Sequence, residues 1–214
     1  MSRAVLWDLD GTLVDSETFH WQSWVYALDA EGVVISYDQF KASFGQRNDR
    51  ILAGWLGGTP SADRLERVAE AKEAEYRRLA VVHGLTPLPG AVDWLGRLHA
   101  AGWRQAIASS APRQNVDVML QALGLTSYFD AIVASEDVTK GKPDPQVFLT
   151  AAARLAVPPS HAVVVEDAAA GIEAARRAGM RSIGVSRTTS LDGDLFVQSL
   201  TELPPDAFDR LVDD

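Results

Sequence analysis

The feature that most constrains this chain is a short apolar run near its start that ends in two aspartates. The run covers residues 4–9, and Asp8 is its one polar member. An apolar run followed by an Asp10-Gly11 turn signal is typical of a buried β-strand. Two carboxylates at the end of a buried strand are costly unless they are paired or hold a metal ion. An Asp-Gly turn with Asp10 as a helix cap is the simpler alternative, but it leaves Asp8 unexplained.

Composition narrows the class of protein. The chain has 214 residues, of which 47% are hydrophobic, enough for one large domain or a core with a smaller insertion. A net charge of −9 disfavours nucleic acid or an anionic membrane as a partner. Cysteine is absent, which excludes thiol nucleophiles and thiolate metal sites. No membrane span or secretory signal pattern is present, so we expect a cytoplasmic protein, and a monomer by default.

Apolar periodicity divides the chain into two kinds of sequence. Residues 15–86 show helical spacing without a convincing strand, and a Pro-Leu-Pro-Gly junction follows. Beyond it, predicted strands at residues 103–108, 131–134, 162–165 and 182–185 alternate with predicted helices. Such alternation is typical of an α/β fold with a parallel sheet covered by helices on both faces. We therefore predict a core of residues 1–14 and 87–214, with residues 15–86 inserted as a helical cap.

Polar side chains follow four of the predicted strands. In a parallel sheet these strand ends lie along one edge, so the side chains should converge. Clustered carboxylates suit Mg2+, whereas a hydroxyl and an ammonium suit phosphate oxygens. The pattern predicts Mg2+-assisted phosphoryl transfer. The residues concerned are Asp8, Asp10, Ser109, Ser110, Lys142, Glu166 and Asp167.

The chemistry assigns a role to each kind of group. A carboxylate attacks phosphorus and forms an aspartyl phosphate, while a metal ion reduces the repulsion between two anions. A second carboxylate donates a proton to the leaving oxygen and then activates water. A lysine compensates the charge of the transition state.

Each group also has a simpler structural interpretation. The serines at 109 and 110 would cap the helix that begins at Pro112. Lys142 would lie in a solvated turn, and Glu166 with Asp167 would cap the next helix. None of the groups is specific alone, and their joint placement at successive strand ends favours the functional interpretation.

The ordered set of four motifs resembles the haloacid dehalogenase superfamily. The motifs are Asp8-Leu-Asp10-Gly-Thr, Ala-Ser109-Ser, Gly-Lys142-Pro-Asp-Pro and Val-Glu166-Asp167, and the resemblance covers nearly the whole chain. The most similar branch contains β-phosphoglucomutase and related sugar-phosphate phosphatases. The resemblance implies a Rossmann-like core with a helical cap inserted after the first strand.

The same resemblance implies the roles of the core residues. Asp8 is then the nucleophile and Asp10 the general acid/base, and Ser109 and Lys142 hold the phosphoryl group. The Mg2+ ligands are then Asp8, the Asp10 backbone carbonyl, Asp167, and Glu166 either directly or through water.

Substrate-binding residues are implied mainly in the helical insert. They are His20, Trp24, Arg47 and Lys72 in the insert, with Ser110 and Arg113 in the core. His20 and Trp24 share one helix face. Core packing is the alternative for Trp24, and a solvated helix face is the alternative for Lys72.

Two positions separate this chain from the mutases of the branch. This chain has Thr12 at the motif position where the mutases have a valine. It has Pro112 where they have a lysine, and Arg113 follows it. Both positions favour a Mg2+-dependent phosphatase of a small phosphorylated metabolite, most simply a sugar phosphate. A β-phosphoglucomutase is the nearest alternative, and a haloacid dehalogenase is disfavoured. A non-enzymatic phospho-accepting regulatory domain is opposed by chain length, by the insert and by Asp10.

Overall fold

The computed structural model describes residues 2–213 and is built around a sheet of six parallel strands. The spatial order is β3-β2-β1-β4-β5-β6, so the first strand lies in the middle. The prediction of a parallel, Rossmann-like α/β sheet is confirmed. The strands are β1 (Ala4–Trp7), β2 (Arg104–Ala108), β3 (Ala131–Val133), β4 (Ala162–Glu166), β5 (Arg181–Val185) and β6 (Leu195–Val197).

Four helices separate β1 from the rest of the sheet. They are α1 (Glu17–Asp29), α2 (Tyr37–Ser43), α3 (Asn48–Trp55) and α4 (Ala62–His83). The predicted helical character of the insert is confirmed, and residues 17–83 of the described chain contain no strand. The other helices are α5 (Ala91–Ala100), α6 (Arg113–Ala122), α7 (Gln146–Arg154), α8 (Ala169–Arg177) and α9 (Ala207–Asp213).

Alternate side chains of β1 enter two apolar layers, one on each face of the sheet. Val5 and Trp7 pack in the layer covered by α5, α6 and α9. Ala4 and Leu6 pack in the layer covered by α7 and α8. All four residues are fully buried, as expected for a central parallel strand. This burial fixes β1 rigidly and thereby fixes the position of Asp8, the residue that follows it.

The helical insert has its own apolar cluster, separate from the two layers of the sheet. Trp24, Leu28, Phe40 and Leu52 are central members of it. The chain leaves and re-enters the sheet at adjacent points, where two backbone hydrogen bonds join the two passages. Asp15 N–H donates to the Thr86 carbonyl at 3.0 Å, and Leu88 N–H donates to the Leu13 carbonyl at 2.8 Å.

Two elements near the C-terminus were not predicted from the sequence. Strand β6 has only three residues and pairs with the end of β5, and α9 packs its Phe208 against Trp7. Among the helices of residues 2–213, none combines the length and apolarity that a bilayer crossing requires.

Candidate active site

The central position of β1 brings three strand ends together. Trp7 is level with Ile107 on β2 and with Val165 on β4. Asp8 therefore lies beside Glu166, the last residue of β4, and Ser109 lies just beyond β2. The order of strands reverses at β1, and ligands bind at such a point in open α/β sheets.

Lys142 joins two of the carboxylates. Its Nζ donates to Asp8 Oδ1 at 2.5 Å and also to Glu166 Oε1. Lys142 is 3% exposed, so the interpretation of this residue as part of a solvated turn is wrong. Burial alone would lower the pKa of Lys142, but Asp8 and Glu166 more than offset this and raise it. Burial raises the pKa of Asp8 to about 8, with Lys142 opposing the shift and Glu166 adding to it.

Three carboxylates converge at this point. Asp8, Glu166 and Asp167 each offer an oxygen within 4.8 Å of the others. The Asp167 Oδ1 atom is buried and has no hydrogen-bond partner. Burial and the charges of Glu166 and Asp8 raise the pKa of Asp167 well above its ordinary value. A hard divalent cation would satisfy the orphaned oxygen and reduce the repulsion, so the residues fit Mg2+.

The two carboxylate oxygens of Glu166 have different partners, and only one of them fits the interpretation of Glu166 as a helix cap. Ala168 N–H donates to Glu166 Oε2 at 3.0 Å, at the start of α8. The other oxygen, Oε1, accepts from Lys142. The capping alternative therefore accounts for only half of this carboxylate.

Asp10 faces a different set of partners. Ser16 Oγ donates to Asp10 Oδ1 at 2.6 Å, and His20 Nε2 lies 2.8 Å from the same oxygen. Burial would raise the pKa of Asp10, but His20 and Ser16, with Lys72 farther away, lower it overall. Ser16 immediately precedes α1, but its hydroxyl donates to this carboxylate and makes no side-chain capping bond to the helix.

Lys72 sets the tautomer of His20. An ammonium has no acceptor, so the 2.9 Å contact from Lys72 Nζ requires His20 Nδ1 to be the acceptor. His20 Nε2 then carries the hydrogen and donates to Asp10. Tyr76 stacks on the imidazole with ring centroids 4.2 Å apart, which holds the ring in place. Lys72 is 2% exposed, so its interpretation as a solvated residue is wrong.

Glu73 completes this network and was not predicted from the sequence. Its Oε1 accepts from Asn48 Nδ2 at 2.6 Å and from Lys72 Nζ at 2.8 Å. Its Oε2 accepts from Asn115 Nδ2. Arg77 Nη1 donates to Asn115 Oδ1 at 2.9 Å, so α4 and α6 are joined through buried polar groups.

One cavity lies between the sheet edge and helices α1–α4, and it is lined by both aspartates, Asp8 and Asp10, and by the His20, Lys72 and Glu73 network. The cavity encloses about 490 Å³ of space free of protein atoms, its open mouth included. The lining residues are Asp8, Asp10, His20, Trp24, Phe40, Ser43, Phe44, Gly45, Gln46, Asn48, Ile51, Lys72, Glu73, Ser109, Ser110 and Ala111.

The two serines lie in the cavity and do not cap α6. Ser109 Oγ accepts from Ala111 N–H at 3.0 Å, and α6 begins after Pro112 without a side-chain capping bond. Trp24 fits both the core-packing and the substrate-binding interpretation, because it packs in the apolar cluster of the insert and also lines the cavity.

Arg47 and Arg113 lie outside the cavity lining. Arg47 Nη1 donates to the backbone carbonyls of Ser135 at 2.7 Å and Val138 at 3.0 Å. Arg113 is paired with Asp117 at 2.9 Å on an exposed face of α6. A substrate contact by either arginine stays a prediction.

Comparison with known proteins identifies the family. Residues 2–179 match the family model for haloacid dehalogenase-like hydrolases. The chain belongs to this family. The resemblance inferred from the four motifs is thus confirmed, as is the expectation of an enzyme.

Relatives of this haloacid dehalogenase-like hydrolase carry out two related reactions. Validoxylamine A 7'-phosphate phosphatase of Streptomyces hygroscopicus subsp. limoneus is 31% identical over 95% of this chain and 96% of its own. Beta-phosphoglucomutase of Bacillus subtilis is 33% identical over 94% of this chain and 91% of its own. The crystal structure of CbbY from Rhodobacter sphaeroides in complex with phosphate has a TM-score of 0.87 at 28% identity, covering 98% and 100% of the two chains.

Proposed function

We propose that this hydrolase is a Mg2+-dependent phosphatase of a small phosphorylated metabolite, a sugar phosphate, and that it acts through an aspartyl phosphate at Asp8. The observation that carries the proposal is the pairing of two aspartates in one cavity with opposite surroundings. Asp8 is bound by Lys142 within the carboxylate cluster, whereas Asp10 is bound by His20 and Ser16 outside it.

The reaction proceeds in two halves. An Asp8 carboxylate oxygen attacks phosphorus and the bond from phosphorus to the leaving oxygen breaks. Asp10 donates a proton to that oxygen, and because the pKa of Asp10 is lowered in the free site, it has to take up this proton when the substrate binds. Asp10 then takes a proton from a water molecule, which attacks phosphorus and releases inorganic phosphate from Asp8. Lys142 and Ser109 compensate and orient the phosphoryl oxygens through both halves.

The buried carboxylates support a metal requirement. Bound Mg2+ would neutralise charge between the anionic nucleophile and the anionic phosphate. Asp8, Glu166 and Asp167 would hold it with their side chains, and the family resemblance adds the Asp10 backbone carbonyl. Support for this assignment comes from the orphaned Asp167 Oδ1 atom.

We infer that residues 15–86 form a cap that moves as a unit on a core of residues 1–14 and 87–214. The separate apolar cluster of the insert supports this division. The paired backbone passages at Asp15–Thr86 and Leu13–Leu88 support its position, because a two-stranded connection is a natural hinge.

The proposal is tested by measuring phosphate release from p-nitrophenyl phosphate and a panel of sugar phosphates. Release should require Mg2+, stop on addition of EDTA and return when Mg2+ is restored. Asp8→Asn should reduce release by at least about a thousandfold, because the nucleophile is lost. The exposed Asp29→Asn variant is the control. Equal activity of wild type and Asp8→Asn would refute the aspartyl-phosphate mechanism.

A β-phosphoglucomutase activity is the second candidate, favoured by the 33% identical relative. The test is the product formed from β-glucose 1-phosphate. Net phosphate release supports the phosphatase, and conversion to glucose 6-phosphate supports the mutase. Thr12 and Pro112 favour the phosphatase.

A further inference from the structure

Positive charge is scarce in the cavity. Among the described residues that line it, Lys72 is the only lysine or arginine. Its Nζ donates to Glu73 Oε1 at 2.8 Å and to His20 Nδ1 at 2.9 Å, and it lies 5.2 Å from the centroid of the Trp24 ring. The charge of Lys72 is therefore already balanced by a carboxylate at hydrogen-bond distance.

Arg47 does not supply a free positive charge to the cavity. Its guanidinium is bonded to the carbonyls of Ser135 and Val138, and its aliphatic stem packs at Gly141, where an added Cβ would lie 2.7 Å from Arg47 Cδ. Lys142 is bound to Asp8 and Glu166 and belongs to the site of the reacting phosphoryl group. No uncommitted cation of the described chain lines the helical side of the cavity.

Glu73 supplies the carboxylate that pairs with Lys72 on that side. It is 5% exposed and is held by three donors, Asn48, Lys72 and Asn115. Burial would raise the pKa of Glu73, but Lys72, His20 and Asn48 more than offset this and lower it. A carboxylate has about four acceptor positions, so about one remains for a substrate O–H or N–H.

We propose that Glu73 is a specificity-determining residue that selects phosphate monoesters of uncharged or amine-bearing polyols and excludes substrates with a second phosphate. The inference rests on the proposed function, because it assumes that the reacting phosphoryl group lies at Asp8. A hydroxyl or ammonium group donates to the free acceptor position of Glu73. A second phosphate would be buried without a free cation, because Glu73 already pairs with Lys72 and Arg47 is bonded to backbone carbonyls, and such burial is strongly unfavourable.

This selection also bears on the choice between the two candidate reactions. A mutase transfers the phosphoryl group from the aspartate to a hydroxyl of a sugar monophosphate, and the product of that step is a bisphosphate. With the reacting phosphoryl group at Asp8, the second phosphate of this bisphosphate would lie in the part of the cavity that helices α1–α4 line. The network around Glu73 therefore disfavours the mutase.

Binding to the Asp8→Asn variant in the presence of Mg2+ tests the inference without turnover. Two matched ligand pairs are compared by titration calorimetry. Glucose 6-phosphate should bind at least about tenfold more tightly than glucose 1,6-bisphosphate, and glucosamine 6-phosphate should bind more tightly than glucose 6-phosphate. Both differences should shrink by about tenfold when Glu73→Gln is added, whereas the exposed Glu70→Gln on the same helix should leave them unchanged.

Several outcomes would overturn the inference. They are equal or tighter binding of the bisphosphate, weaker binding of the amine, no detectable binding of any of the three ligands, or differences that persist in the Glu73→Gln background. If Glu73→Gln does not fold, the two ligand comparisons in the Asp8→Asn variant still test the inference. Failure of the proposed function is seen separately, as absence of phosphate release from p-nitrophenyl phosphate by the wild type.

Discussion

A Cβ atom added to Gly171 would lie 2.0 Å from the carboxylate carbon of Glu166. Gly171 is in the first turn of α8, and the Glu166 side chain occupies the space in which any other residue would place its own. The position of the Glu166 carboxylate beside Lys142 therefore depends on a glycine five residues later in the chain.

We expect Gly171→Ala to lower phosphatase activity by at least about tenfold, because small displacements of site groups have large kinetic effects. Alanine normally stabilises a helix by about 1 kcal/mol relative to glycine, but here the clash should cancel that gain. Gly96→Ala in α5 is the matched control, since the nearest atom to a Cβ added there, Tyr128 Oη, would be 4.0 Å away. Phosphatase assays and urea denaturation check both variants, and an unchanged activity of Gly171→Ala would contradict this role of the glycine.

Loss of Lys142 should destabilise the protein when Mg2+ is absent. Lys142→Met leaves Asp8 and Glu166 buried without their cation, and breaking a buried ion pair in this way costs about 3–5 kcal/mol. Lys140→Met, which removes an exposed lysine 3.7 Å from Asp144, should cost less than about 1 kcal/mol. The free energies of unfolding in urea with EDTA provide the comparison. Similar losses in the two variants would show that Lys142 does not stabilise the carboxylate cluster.

The contribution of Glu73 to stability should depend on pH. Because the pKa of Glu73 in the folded protein is below its ordinary value of 4.5, its ionised form stabilises the fold above that pH. This stabilisation is lost as the pH falls through the lowered pKa. At about pH 7, Glu73→Gln should be less stable than wild type by roughly 3 kcal/mol, and the difference should shrink below about pH 4.5.

Urea denaturation across this pH range measures the effect, with the exposed Glu70→Gln as the control that changes stability little at any pH. The prediction would be contradicted if the difference in the free energy of unfolding between wild type and Glu73→Gln increased as the pH falls.

Arg47 should act through the contact between the helical insert and the core. Arg47→Met removes the hydrogen bonds to Ser135 and Val138 and should weaken closure of the insert over the cavity. The value of kcat/KM should then fall by a similar factor, about tenfold, for p-nitrophenyl phosphate and for a sugar phosphate. The exposed Arg50→Met, in the first turn of α3, is the control. A loss confined to the sugar phosphate would instead identify Arg47 as a substrate contact.

The parallel sheet and the strand-end groups were predictable because both depend on local sequence. A buried parallel strand is a short apolar run, and Asp8, Ser109 and Glu166 each lie next to such a run. The helical character of the insert was predictable for a related reason, since the apolar periodicity changes after the first strand. Strand β6 was missed because three apolar residues are too short a run to carry a period.

The burial of Lys72 could have been predicted from the helical spacing of its neighbours, although its charge alone suggests an exposed residue. Val68, Lys72 and Tyr76 are four residues apart on α4, so Lys72 lies on the stripe that the helix buries. Asn115 lies beside Val116 and Met119 on the buried face of α6 in the same way. A polar residue on an apolar stripe predicts a buried partner but does not identify it.

By itself, the sequence determined the α/β sheet, the helical insert and the carboxylates, serine and lysine at the sheet edge, because each follows from the pattern of its own segment. The tertiary structure decided which of these groups pair. Glu73 meets Asn48 and Asn115, and Arg47 meets the carbonyls of Ser135 and Val138, only because helices distant in sequence pack together. Local patterns specify burial and periodicity, whereas the charge balance of a cavity depends on which side chains the packing brings within hydrogen-bond distance.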